Sequence, residues 1–192
     1  TIRKADRIRS VYGLEKNGYI LFLGRLVPEK GIMYLIEAFS KVNTDLKLVI
    51  AGGSSDTDEY EKELRMKAEK DSRILFTGFV EGDLLEELYS NAYVYTLPSD
   101  LEGMPLSLLE AMSYENCCLV SDIKELTEVV DKAVVFPHSN TEALAEKLQY
   151  LCNHPAVVTE YQEIAADFIC KKYDWDTVTD KTLRLYKDIR KI

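Results

Sequence analysis

Glu102 and Glu110 are the residues whose type and spacing could do chemistry. They stand with seven residues between them in the stretch Pro98-Ser99-Asp100-Leu101-Glu102-Gly103-Met104-Pro105-Leu106-Ser107-Leu108-Leu109-Glu110-Ala111-Met112. The first glutamate lies in a turn bearing Gly103 and Pro105, and the second in a run otherwise rich in Leu, Ala and Met. Pro and Gly placed this way predict a helix start near Met104 or Pro105, and the apolar run predicts a helix buried nearly all round. Glu110 then shares a face with Leu106 and Ser107. Because helical side chains lean toward the N-terminus, its carboxylate is expected at the helix mouth, toward Glu102. A buried carboxylate needs hydrogen-bond donors. No Arg or Lys occurs between Asp100 and Glu115, so the expected partners are ligand hydroxyls or backbone groups. Free N–H groups at the same mouth favour an anion. The stretch therefore predicts a place for a ligand carrying both hydroxyls and a phosphate.

Two cations extend this site. Tyr19-Ile20-Leu21-Phe22-Leu23-Gly24 is a continuous apolar run, the pattern of a strand covered on both faces. Arg25, Pro28, Lys30 and Gly31 follow at once, then an amphipathic helix through about Asn43. Cations at a helix start oppose its dipole, which makes sense if an anion sits with them. Taken singly, each also reads as an exposed loop charge. Further strands are expected at Leu46 to Gly52, Ile74 to Phe79, Ala92 to Leu97, Cys117 to Ser121 and Ala133 to Pro137. Helices fall between them, at Asp56 to Lys70 with Ser54, Ser55 or Asp56 as cap, at about Asp83 to Ser90, in the central motif, and through Val130. This alternation predicts an α/β fold, a Rossmann-like doubly wound parallel sheet of about six strands with C-terminal helices. Right-handed crossovers bring every strand's C-terminal end to one rim, where open α/β sheets bind ligands. Arg25, Lys30, Val80, Glu102 and Asp122 all follow strand ends, so independent candidates converge there.

The 192 residues suit one domain with a good core. Residues 1–18, with Arg3, Lys4, Arg7 and Arg9, read as a linker or a short solvated helix, residues 19–172 as the body, and 173–192 as a final helix opened by Tyr173-Asp174-Trp175. Thr1 in place of Met suggests a piece of something longer. A net charge of −9 sets the overall field against nucleic acid, so any anion site must be local. Cys117, Cys118, Cys152 and Cys170 show no metal-ligand spacing; the neighbours Cys117 and Cys118, in an apolar strand, read as packed thiols, and a reducing cytoplasm is the simplest setting. No apolar run of membrane-spanning length and no signal peptide is present. His138 and His154 stand alone and read as surface or capping residues. No dinucleotide or P-loop glycine pattern occurs.

The central stretch resembles the motif of retaining glycosyltransferases with the GT-B fold, the large group-1 family that uses nucleotide sugars. Pro98, Ser99, Glu102, Gly103, Pro105, Glu110, Ala111 and Met112 match that family's pattern, in which two glutamates flank seven residues. Gly24-Arg25-Leu26 with Lys30-Gly31 is similar to its phosphate-binding words. Phe76-Thr77-Gly78-Phe79-Val80 is similar to the segment whose last residue meets the nucleobase through its backbone. Ser121-Asp122-Ile123, Glu128-Val129-Val130 and Tyr173-Asp174-Trp175 match further words, and the likeness covers roughly residues 19 to 185. Glu115, Cys117 and Lys124-Glu125 depart from the family, which often has Gly, Pro and a Gly pair there.

The resemblance implies the donor-binding C-terminal domain of such an enzyme, with the acceptor-binding N-terminal domain absent. Arg25 and Lys30 would take the phosphates beside Gly24 and Gly103, aided by the N–H groups of Met104, Leu106 and Ser107. Glu110 would accept from the ribose, Val80 would meet the base, and Glu102 would hold sugar hydroxyls near the reacting carbon. Glu102, Arg25 and Lys30 are thus the expected catalytic set, with no metal and no cofactor beyond the nucleotide diphosphate sugar itself. The acceptor would be a glycan, a glycolipid or a small molecule, and the longer protein would be cytoplasmic, free or peripheral at a membrane. A module that binds a nucleotide or nucleotide sugar without transferring it would carry the same words. A Rossmann oxidoreductase or a phosphate-sensing α/β domain is a further alternative, opposed by the paired glutamates.

Overall fold

The computed structural model describes residues 2–53, 58–130 and 132–172, together with 179, 183 and 184. Six strands form one parallel sheet: β1 (Tyr19–Leu23), β2 (Lys47–Ala51), β3 (Ile74–Gly78), β4 (Val94–Leu97), β5 (Cys118–Ser121) and β6 (Val134–Phe136). Their order is β3-β2-β1-β4-β5-β6. Each strand lies within its expected range and is trimmed by a residue or more at one end or both, at Gly24, Gly52 and Pro137 for the C-terminal ends of β1, β2 and β6. Tyr19, Ile20, Leu21 and Phe22 are all buried to within 1%, which requires cover on both faces of β1 and explains why its sequence does not alternate.

The strand order has a direct consequence for the site. The chain builds outward from β1 through β2 to β3, then returns to the other side of β1 and builds outward again through β4, β5 and β6. The switch point lies between the C-terminal ends of β1 and β4, the crevice where such sheets bind ligands. Arg25 and Lys30 leave β1 there, and Ser99 to Glu102 leave β4.

The helices are α1 (Arg7–Tyr12), α2 (Ile32–Ser40), α3 (Asp58–Ala68), α4 (Gly82–Asn91), α5 (Leu106–Ser113), α6 (Lys124–Thr127), α7 (Thr141–Asn153) and α8 (Pro155–Lys172), with a 3-10 turn at Pro28–Lys30. Helix α2 packs on α3 and α7, and α5 packs on α8. Asn140 caps α7 by accepting from the Ala143 N–H at 2.9 Å, and Pro155 opens α8 as a first-turn proline does. The expected cap at Ser54, Ser55 or Asp56 and the segment Tyr173-Asp174-Trp175 lie outside the described residues. Among the described residues no helix is long and apolar enough to cross a membrane.

The short helix expected within residues 1–18 is α1, closed by Gly13, and its charges are exposed, but it is docked on the body rather than free in solvent. Ala5, Ile8 and Leu14 are buried, and α1 lies on α4. The reason is Glu87 of α4, 6% exposed, which accepts from the N–H groups of Arg7 at 2.8 Å and Ile8 at 3.0 Å. It supplies from outside the acceptor that α1 lacks at its own N-terminus. Arg3 and Arg7 add ion pairs to Asp83 and Glu86, though exposed pairs of this kind contribute little. Glu87→Ala is therefore expected to cost roughly 1.5–3 kcal/mol, the range for hydrogen bonds to a charged group. Urea unfolding of the variant and of Arg7→Ala, which is expected to be near neutral, checks this.

Candidate active site

The loops that leave β1 and β4 are pressed together at the switch point. Gly31 has φ +67, and a Cβ there would stand 2.1 Å from the Pro98 carbonyl and 2.2 Å from the Tyr34 hydroxyl. Only glycine fits. The Asp100 N–H donates to the Glu29 carbonyl at 2.8 Å, and Tyr34 O–H donates to the Pro98 carbonyl. These contacts set Lys30 against Glu102, 72 residues away in the chain, with Nζ 2.6 Å from Oε1. Ser99 O–H donates to the same oxygen at 2.6 Å, and the Ser99 carbonyl accepts from Ser121 at the end of β5. The side chains are 15% exposed for Lys30 and 5% for Glu102, so both charges are largely withdrawn from water.

Two cavities open on this rim. One of about 260 Å³ is lined by Arg25, Glu29, Lys30, Leu101, Glu102 and Gly103. The other, of about 460 Å³, is lined by Leu23, Gly24, Arg25, Gly52, Gly53, Phe79 and Val80. Arg25 stands in the wall of both. It is exposed, and its carbonyl accepts from the Val27 N–H at 3.1 Å while its guanidinium has no hydrogen-bond or ion-pair partner among the described residues. The larger cavity has a glycine floor for a steric reason. Gly52 has φ +140, and a Cβ on it would lie 1.9 Å from the Gly24 carbonyl. Val80 is buried, whereas Phe79 beside it is 77% exposed at the cavity wall, an unusual place for a phenyl ring.

Helix α5 differs from the expectation of a helix buried all round. It buries Leu108, Ala111 and Met112 only, while Leu106 is 54% exposed and Glu110 is exposed. One face meets β4, β5 and α8, and the other is open. Glu110 therefore avoids the desolvation cost that burial would bring. Its partner is a side chain that the local sequence did not suggest, the hydroxyl of Tyr89 on α4, which donates to Oε2 at 3.0 Å. The helix mouth also differs. Pro105 has φ −79 and ψ 69, the geometry of an inverse γ-turn, and the Leu106 N–H is spent on the Met104 carbonyl at 2.9 Å. Leu106 is thus not available as a phosphate donor. Among the described residues the N–H groups of Met104 and Ser107 have no partner, so two of the three expected donors remain. Ser107 Oγ accepts from Tyr95, a β4 side chain, at 2.9 Å.

Of the sequence-derived candidates, Gly24, Arg25, Lys30, Val80, Glu102 and Gly103 line the two cavities, Met104 and Ser107 flank the start of α5, and Glu110 lies a turn further along that helix, bonded to Tyr89 and in the lining of neither cavity. Phe79, Tyr89, Tyr95 and the bond from Ser99 were not anticipated. Ser99 belonged to the motif, but a pairing across folded space leaves no local signal. His138 is at the surface, yet not alone: its backbone N–H and Nδ1 both meet Asp122 Oδ1, at 2.8 and 2.7 Å. Those bonds hold the Asp122 carboxyl below its usual range. Burial pushes the Cys117 thiol up to about 12, which fits a packed cysteine. Among the described residues no group of three or more His, Cys, Asp or Glu is gathered for a metal.

Residues 4–175 match the model for glycosyl transferases group 1. An uncharacterized glycosyltransferase of Methanocaldococcus jannaschii is 33% identical over 185 residues, covering 93% of this chain and 47% of that protein. The chain spans about half the length of such relatives. The fold is similar to that of HepE from Anabaena, solved with UDP and glucose, at a TM-score of 0.87 and 17% identity over 95% of this chain and 51% of that one. It is also similar to the C-terminal domain of a group 1 glycosyl transferase family protein, LpcC, from Francisella tularensis. There the TM-score is 0.78 and the identity 22%, over 90% of this chain and 94% of that one. A family match across nearly the whole sequence, a relative one-third identical and a shared doubly wound fold together show that this chain belongs to the glycosyl transferases group 1 and has the fold of a GT-B C-terminal domain.

Proposed function

We propose that the chain is the donor-binding half of a retaining glycosyltransferase, taking a nucleoside diphosphate sugar and delivering the sugar to an acceptor held by a second domain. The observation that carries this reading is the position of Arg25 in the wall of both cavities. A base in the larger cavity, against Gly53, Phe79 and Val80, leaves its diphosphate beside Arg25, and the sugar then reaches Lys30 and Glu102. The HepE complexes contain UDP and UDP-glucose, which supports a nucleotide sugar as the ligand.

Departure of the diphosphate develops negative charge on its bridging oxygen. Arg25, Lys30 and the N–H groups of Met104 and Ser107 are preorganised donors for it, and the residues need no metal to supply that charge. Binding of the phosphates draws Lys30 toward them and loosens its pair with Glu102. Glu102 then keeps Ser99 on Oε1 and turns Oε2 to the sugar hydroxyls beside the reacting carbon. Retention follows if the acceptor attacks the face that the diphosphate leaves, with the leaving phosphate oxygen taking the acceptor proton.

Thermal unfolding of the chain with UDP, GDP, ADP and their sugar conjugates tests the reading. A ligand at a hundredfold excess over its Kd adds about 2.7 kcal/mol, or roughly 5–10 °C in Tm for a chain of this size. At least one diphosphate is expected to give such a shift. No shift and no heat of binding with any of the three would overturn the proposal.

A further inference from the structure

Two buried tyrosines stand behind the open face of α5. Tyr89, on α4, is 1% exposed, and Tyr95, on β4, is fully buried. Their rings are 6.1 Å apart between centroids, and Tyr89 is also stacked on Tyr114 at 5.5 Å and 10°. A ring held between two others has little freedom to turn. Each phenol has one proton, and a buried phenol must find an acceptor for it. Tyr89 gives its proton to Glu110 Oε2 at 3.0 Å, and Tyr95 gives its own to Ser107 Oγ at 2.9 Å, in preference to the Leu23 carbonyl at 3.4 Å. Burial raises both phenols far above their ordinary range, with Glu110 adding to the effect on Tyr89, so both remain donors at any working pH.

The polarity of these bonds matters for what the surface presents. Glu110 has one oxygen spoken for from behind and Oε1 left to accept from outside. Ser107, having accepted from Tyr95, has its own O–H left to donate, beside a backbone N–H without a partner among the described residues. Ser107 and Glu110 are three residues apart and so neighbours on one helix face. An exposed glutamate would otherwise sample several rotamers and lose that freedom on binding; a fixed donor behind it removes that loss beforehand.

We infer that Tyr89 and Tyr95 are positioning residues, Tyr89 aiming Glu110 at a vicinal diol and Tyr95 aiming the Ser107 hydroxyl at a phosphate oxygen of the same ligand. The inference rests on the nucleotide-sugar reading and adds two residues to it. Neither touches the ligand, so each acts only through the side chain it holds.

Tyr89→Phe and Tyr95→Phe keep the rings and remove one hydroxyl each, and calorimetry on the whole chain gives crossed expectations. The ligands are the tightest of UDP, GDP and ADP, its dideoxy-ribose analogue lacking the vicinal hydroxyls, and the parent nucleoside. Tyr89→Phe is expected to weaken the ribose diphosphate about fivefold to tenfold, the effect of one charge-assisted hydrogen bond partly compensated by water, and to leave the dideoxy analogue unchanged. Tyr95→Phe is expected to weaken both diphosphates by a similar factor and spare the nucleoside. After Glu110→Gln, Tyr89→Phe should add nothing further. A loss that does not distinguish the ligands, or no loss in either variant, would overturn the inference while wild-type binding leaves the donor-site reading standing. Absence of wild-type binding would overturn both.

Discussion

Lys30→Ala is expected to weaken nucleoside diphosphate binding by tenfold or more while affinity for the parent nucleoside holds. A hydrogen bond between charged groups is worth roughly 1.5–3 kcal/mol, and each 1.4 kcal/mol is about a factor of ten. The structure adds a second consequence. Lys30 is the cation nearest Glu102, whose side chain is 5% exposed, and removing one member of a buried pair leaves the other charge uncompensated, at a cost of about 3 kcal/mol or more. Lys30→Ala should therefore lower the unfolding free energy as well as the affinity. The two effects separate in the double variant. Glu102→Gln in the Lys30→Ala background removes the stranded charge and should recover most of the stability without recovering diphosphate binding. Recovery of both, or loss of nucleoside and diphosphate affinity by one factor, would place the role of Lys30 in folding alone.

Glu102→Gln by itself is expected to act with the opposite sign on binding. Glu102 neutralises Lys30 in the free protein, at 2.6 Å, and the amide leaves the ammonium free for phosphate. Bare diphosphate should bind the variant at least as tightly as the wild type. If the chain is the donor half of a two-domain transferase as proposed, turnover of that longer protein should nevertheless fall, on the order of a hundredfold, the usual scale for removing one electrostatic group from a reacting centre. On the proposed reading the carboxylate would face a carbon that gains positive charge as the diphosphate departs, so its contribution would be larger in the transition state than in the ground state and would appear in kcat. Measured against Glu110→Gln, which should lose diphosphate and nucleotide sugar alike, the pair divides the motif into a rate residue and a binding residue. A Glu102→Gln variant that lost bare diphosphate as badly as Glu110→Gln would make that division wrong.

The sheet was legible because each strand is a short apolar run closed by Gly, Pro or a charge, and period and length alone identify it. Strand order was not. Nothing in β4 says that it lies beside β1, yet that adjacency joins Arg25 and Lys30 to Ser99 and Glu102. The candidate residues were legible as local words, whereas the bonds between them were not, because Lys30 to Glu102 and Tyr89 to Glu110 span 72 and 21 residues. Glu110 shows how a local rule misleads: Leu106, Leu108, Ala111 and Met112 read as an all-round apolar helix, but Leu106 is 54% exposed because only one face of α5 meets the sheet and α8. Leu106 as a donor failed for a different reason, since Pro105 takes an inverse γ-turn that folds its N–H back. For the N-terminal segment, charge suggested solvent, and the buried Glu87 that captures α1 could not be seen from residues 1–18.

The most direct measurement is a crystal structure of this chain with the tightest-binding nucleoside diphosphate of UDP, GDP and ADP. The expected result is a base against Gly53, Phe79 and Val80, a diphosphate between Arg25 and Lys30, and ribose hydroxyls on Glu110, with Lys30 drawn off Glu102. A nucleotide bound elsewhere, or one bound on this rim with Lys30 still paired to Glu102 and Arg25 without a phosphate, would contradict the account.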